Sequence, residues 1–154
     1  MSNSDQEVRE LYRKHVPEVA CGVVEVVAVA REVGQYTMVA VRSHDSCIDP
    51  LSACVGKGAV LSKAIMRELG GGIRVVLWSE SVREFIERTM LCRKRGPLRS
   101  PKVTLDETTH QAHVQVEPET VEYMTSREGL FLRLASRLVG WDIQLVPYGQ
   151  GPVA

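Results

Sequence analysis

Gly56-Lys57-Gly58-Ala59 and Ser126-Arg127-Glu128-Gly129 lie seventy residues apart, and laying one on the other brings the rest of the chain into register. Gly70 then falls on Gly140 and Ile73 on Ile143 without a gap. In each copy a short turn carries glycine and a cation, an amphipathic helix follows, and glycine leads into an apolar strand. A fixed internal period defines the folding unit before any single element is assigned.

Outward from the first turn, Asp49-Pro50 opens a helix that the turn cuts after Val55. Asp49 suits the N-cap and Pro50 the first helical position. Downstream, Ala59 to Leu69 reads as a helix with Leu61, Ile65 and Leu69 on one face, stopped by Gly70-Gly71-Gly72. Ile73 to Trp78 is a strand. Upstream, Val8 to Val16 is a helix ended by Pro17, and the β-branched runs Gly22–Arg31 and Tyr36–Ser43 form a hairpin across Gly34. The second copy repeats this order. Ser79 or Ser81 caps a helix reaching about Leu91, and Val103–Asp106 with His110–Val116 make the hairpin. Pro118–Thr125 is a short helix, Leu130–Val139 a longer one stopped at Gly140, and Asp142–Val146 the last strand. Each half is an α+β unit, a three-stranded sheet with helices packed on one face. The units are expected at residues 8–78 and 79–147, with 1–7 and 148–154 as flexible termini.

The 154 residues, 44% hydrophobic and 25% charged, are enough for two small packed units. Nineteen cations balance nineteen acids, which disfavours strong non-specific nucleic-acid binding but leaves room for a local basic patch. The longest apolar stretch, Val23 to Ala30, is interrupted by Glu25 and too short to span a bilayer. The N-terminus lacks the cationic and apolar regions of a signal peptide. Cys21, Cys47, Cys54 and Cys92 form no C-x-x-C pair, so they read as free thiols of a cytoplasmic protein.

Catalytic chemistry finds little support. No Ser/His/Asp or Cys/His set presents a nucleophile, and neither G-x-G-x-x-G nor a P-loop occurs. His110 and His113, three apart in an expected strand, face opposite ways and make no metal pair. Glu117, Glu119 and Glu122 lack the glycine and spacing of a calcium loop. The chain is expected to be no enzyme and to carry no cofactor. Trp78 and Trp141 are expected to pack into the core rather than to serve as base-stacking platforms.

The element order, with a glycine turn between two helices, resembles the type II KH fold of prokaryotic RNA-binding proteins. Two such units in tandem resemble the KH portion of the NusA transcription elongation and termination factor family. The residues that carry the likeness include Val26-Val27-Ala28-Val29-Ala30-Arg31-Glu32, Asp49-Pro50 with Ala53-Cys54-Val55-Gly56, and Glu68-Leu69-Gly70-Gly71. Trp78-Ser79-Glu80, Glu84-Phe85-Ile86, Arg127-Glu128-Gly129 and Arg137-Leu138-Val139-Gly140-Trp141-Asp142-Ile143 extend it. Members carry G-x-x-G in both turns. Here Ala59 replaces the last glycine of the first turn and Ser126 the first glycine of the second. The polymerase-binding and OB-fold domains that precede the pair in bacterial members have no counterpart in these residues.

The resemblance implies single-stranded, nascent RNA as the partner, in elongation, termination or antitermination, with RNA polymerase or other transcription factors as further partners. A KH turn brings its backbone against phosphates and clamps about four nucleotides. Glycine allows the unusual dihedrals and the close approach, and the following helix aims its free N–H groups at the same place. The implied RNA-binding residues are Gly56, Lys57, Gly58, Ala59 and Lys63 in the first unit. In the second they are Ser126, Arg127, Glu128, Gly129 and Arg133. Arg93, Lys94, Arg95, Arg99 and Lys102 form a cationic stretch suited to backbone contact. A left-handed alanine or serine costs roughly 1–2 kcal/mol, whereas ordinary angles cost nothing, so the conformations of Ala59 and Ser126 decide how far the turns are altered. Two other readings share the fold: a protein-interaction scaffold with weakened RNA binding, and a ribosome-associated or RNA-processing accessory factor.

Overall fold

The computed structural model describes residues 3–90 and 101–148, apart from the side chains of the first two. The chain divides into two compact units, Met1–Trp78 and Ser79–Ala154.

The first unit contains α1 (Asn3–His15), α2 (Pro17–Ala20), β1 (Val24–Glu32), β2 (Tyr36–Ser43), α3 (Pro50–Val55), α4 (Val60–Leu69) and β3 (Gly72–Leu77). A single 3-10 turn, Lys57–Ala59, separates α3 from α4. The sheet order is β1-β2-β3, with β1 antiparallel and β3 parallel to β2. A parallel pair needs a long crossover, and here α3, the turn and α4 supply it. The glycine turn therefore lies midway along an obligatory connection.

The first helix stops before Pro17 as expected, and the start of the chain differs from the sequence reading in two other ways. The helix begins at Asn3, so residues 3–7 are helical rather than a frayed terminus. Pro17 opens α2 after an extended Val16, because its fixed φ and missing N–H suit a first helical position.

The core joins Val8 and Tyr12 of α1 to Val24 and Val26 of β1, Val39 and Val41 of β2, Cys54 of α3, and Ile65 and Leu69 of α4. Full burial of each such aliphatic side chain contributes roughly 1.5–3 kcal/mol. Burial pushes the Cys54 thiol up to about 12, with Glu18 adding to the shift, so it packs as a small apolar group. β2 is buried from Thr37 through Val41, as its nearly unbroken apolar run implies. A register shift between Val26 and Ala28 makes a β-bulge in β1. Arg9 of α1 spans it, donating from Nη1 to the Val26 carbonyl and from Nη2 to that of Val27 at 3.2 Å.

In the second unit α5 (Val82–Thr89) precedes β4 (Lys102–Asp106), β5 (Gln111–Val116), α6 (Pro118–Val139) and β6 (Asp142–Pro147). The order β4-β5-β6 repeats the antiparallel and parallel pairings of the first sheet. Ser81 caps α5, its hydroxyl accepting from the Glu84 N–H at 3.3 Å. β5 alternates cleanly, burying Ala112, Val114 and Val116 while His113 is exposed. From α6, Met124, Leu130, Leu134, Ala135 and Leu138 are buried. His110 lies outside the strand, in the turn before it, with φ 57°. At the end of the unit Tyr148 follows β6 and donates its N–H to the Val116 carbonyl at 2.8 Å. The remainder of the expected tail, residues 149–154, lies outside the described residues. No helix among the described residues is long and apolar enough to cross a membrane.

Candidate nucleic-acid interface

The first turn is built by local hydrogen bonds on either side. Asp49 accepts from the Leu51 N–H at 3.1 Å and from the Ser52 hydroxyl at 2.7 Å, which starts α3. The helix ends at Gly56, with φ 79° and ψ 164°, a region essentially reserved for glycine. A Cβ there would also sit 2.7 Å from Leu61 Cγ and 3.1 Å from the Leu61 nitrogen. Gly58 follows at φ 65° and Ala59 at φ 61°, ψ 26°. Ala59 is thus left-handed, with a cost of roughly 1–2 kcal/mol. Its N–H donates to the Gly56 carbonyl at 3.0 Å, closing the turn.

The second turn interrupts α6. Ser126 is extended at φ −64°, ψ 165°, so its missing glycine costs nothing. Arg127 (φ 52°), Glu128 (φ 59°) and Gly129 (φ 78°) then run left-handed in succession. The turns start with the same ψ but opposite φ, and only their last two residues match in hand.

The predicted side chains occupy different surroundings. Lys57 and Lys63 are exposed and have no ion-pair partner among the described residues. Neither cation faces an acid in the first turn of α4. Arg127 lies over the Phe131 ring at 5.6 Å, and Phe131 stacks on Tyr123 with centroids 4.8 Å apart and planes 6° apart. Arg133 donates from Nη1 to the Glu128 carbonyl, and the Ser126 hydroxyl donates to the Tyr123 carbonyl at 2.6 Å. Helical spacing alone hides the Tyr123–Phe131 pair, because the break between them resets the periodicity. Arg93, Lys94, Arg95 and Arg99 lie outside the described residues, while Lys102 opens β4 and is exposed.

Neither tryptophan is fully buried. Arg42 covers the Trp78 ring at 4.7 Å, and His110 stacks on Trp141 at 3.9 Å and 17°. The expectation of core packing is corrected to half-buried rings covered by polar neighbours. His110 also shares a hydrogen bond with the Gly140 carbonyl at 2.9 Å, at the C-terminus of α6. Among the described residues no three His, Cys, Asp or Glu side chains gather in a way that would hold a metal ion.

Known proteins resemble this chain in sequence and in fold. The profile of the NusA-like first KH domain matches residues 2–78. The transcription termination/antitermination protein NusA of Rickettsia prowazekii is 34% identical over 143 residues, covering 92% of this chain and 28% of its own length. Its counterpart in Thermus thermophilus is 35% identical over 137 residues, covering 88% of this chain and 34% of its own. The chain therefore spans 28% and 34% of the length of these relatives. A solved structure titled "Crystal structure of APE1850" shares the fold at a TM-score of 0.63 and 16% identity, over 96% of this chain and 99% of that one. The profile match over residues 2–78, with relatives aligned along most of the remainder, assigns the chain to the NusA-like KH family.

Proposed function

We propose that this chain binds single-stranded RNA, and that it does so on nascent transcripts during elongation, termination or antitermination. In this reading residues 8–78 and 79–147 are tandem type II KH domains. The parallel pairing of β2 with β3 and of β5 with β6 beside an antiparallel hairpin supports that assignment. The family relatives named as termination/antitermination proteins support the transcriptional setting. RNA polymerase or another transcription factor is the expected protein partner.

The observation that carries the proposal is the first turn. Gly58 leaves bare backbone exposed with open space around it, α4 begins two residues beyond, and Lys57 and Lys63 stand there without an acid. The Ala59 and Val60 N–H groups are spent on the Gly56 and Lys57 carbonyls, so the attraction for an anion comes from the dipole of α4 and the two lysines, and a phosphate backbone is the matching ligand. Bases of the same strand would lie along the adjoining helix and sheet edge. Linking two units raises affinity through effective concentration when one strand reaches both.

The test is binding of short single-stranded RNAs at several salt concentrations by wild type and by the K57E/R127E double mutant. Salt-sensitive binding that the double mutant loses is expected. Equal affinity in the two proteins would refute a phosphate contact at either turn.

A further inference from the structure

We infer that the two turns are unequal: the first takes the phosphate, and the second is braced around its own cation. This rests on the RNA-binding reading above. Lys57 and Arg127 coincide when the sequence copies are superposed, but their backbones differ. Arg127 has φ 52°, whereas Lys57 is not among the residues with positive φ. A change of hand swings Cβ to another side of the chain, so the two cations leave their turns in different directions.

The charge of each turn differs as well. Gly58 in the first turn corresponds to Glu128 in the second, so Arg127 stands next to a carboxylate and Lys57 does not. A carboxylate at a phosphate site opposes the ligand by like-charge repulsion, and it offsets the neighbouring guanidinium. Arg127, exposed like Lys57, differs from it in lying over the Phe131 face, itself stacked on Tyr123, and Arg133 is directed to the Glu128 carbonyl. These contacts hold three successive left-handed residues, two of them not glycine, in a conformation that isolated residues avoid.

The apolar rim completes the contrast. Val60, directly after the first turn, is 55% exposed, whereas Leu130 at the matching position is fully buried. A cation beside an exposed aliphatic side chain suits a nucleotide, which presents a phosphate and an apolar base face together. In the second unit that apolar position is already used by the core.

The experiment compares K57M and R127M, which remove charge while keeping a long apolar stem, in the full chain. Binding of a short mixed-sequence single-stranded RNA is followed from about 50 to 200 mM salt. K57M should weaken binding and lower the slope of log K against log salt by about 0.7, the value for one phosphate contact on a single strand. R127M should keep the wild-type slope, because its stem still covers Phe131. An R127M slope reduced as much as that of K57M, or a K57M slope equal to wild type, would overturn the inference. Absence of salt-dependent binding in wild type would instead refute the RNA reading itself, before either variant is compared.

Discussion

Restoring the missing glycine should have opposite effects in the two turns. In Ala59→Gly, the replaced residue is left-handed at φ 61°, and removing its Cβ relieves roughly 1–2 kcal/mol. The added freedom of glycine in the unfolded chain takes back about 0.4–1 kcal/mol. The balance is a gain of about 0.5–1 kcal/mol. In Ser126→Gly, φ is −64° and there is nothing to relieve. The same entropy is lost, about 0.4–1 kcal/mol, together with the hydrogen bond from the Ser126 hydroxyl to the Tyr123 carbonyl. That bond is exposed and contributes about 0.5 kcal/mol, so Ser126→Gly should destabilise by about 1 kcal/mol. Urea unfolding followed by tryptophan fluorescence measures both. Trp78 belongs to the first unit and Trp141 to the second, so W141F and W78F backgrounds report each unit separately. The midpoint should rise in one variant and fall in the other at unchanged m. Shifts of the same sign would refute the assignment of strain to Ala59 and its absence at Ser126.

Gly56→Ala should be far more damaging, by about 2–5 kcal/mol, since it combines a forbidden backbone region with overlap against Leu61; an unfolding midpoint close to wild type would count against the described turn. Tyr12→Phe should stabilise by about 1 kcal/mol, because the Tyr12 hydroxyl is buried with no hydrogen-bond partner among the described residues, and chemical unfolding will read the sign. Glu68 receives hydrogen bonds from His15 and from Lys14 (3.0 Å), and these hold its carboxyl below the ordinary value of 4.5. A carboxyl with a lowered folded pKa contributes stability above its unfolded value and loses it as pH falls through the folded one. The acid limb of a pH–stability curve should therefore flatten in Glu68→Gln, and an unchanged limb would remove the pair from the account.

Much of the architecture was legible in residue order. The seventy-residue period, the Asp49-Pro50 helix start and the Gly70 and Gly140 stops each rest on a local backbone preference, and each appears where that preference predicts. The helix start at Asn3 was missed because residues 3–7 are polar and give no periodic signal. The second helix at Pro17 was missed because proline was read only as a stop, although it also favours a first helical turn. The Tyr123–Phe131–Arg127 stack was hidden because the break at Ser126–Gly129 changes which positions share a face. The half-covered state of Trp78 and Trp141 depends on Arg42 and His110, which are distant in sequence.

The paired turns, their lost glycines and their matched cations are properties of the sequence alone, because a period and a residue type need no coordinates. Whether a lost glycine matters, and whether matched cations are equivalent, depended on the tertiary structure. The φ at each position is set by how two helices are joined over a sheet, so Ala59 is strained and Ser126 is not. The same packing leaves Val60 exposed and Leu130 buried, and of the two exposed cations it sets only Arg127 over an aromatic ring, that of Phe131. Two turns that align in sequence therefore present different chemistry in space.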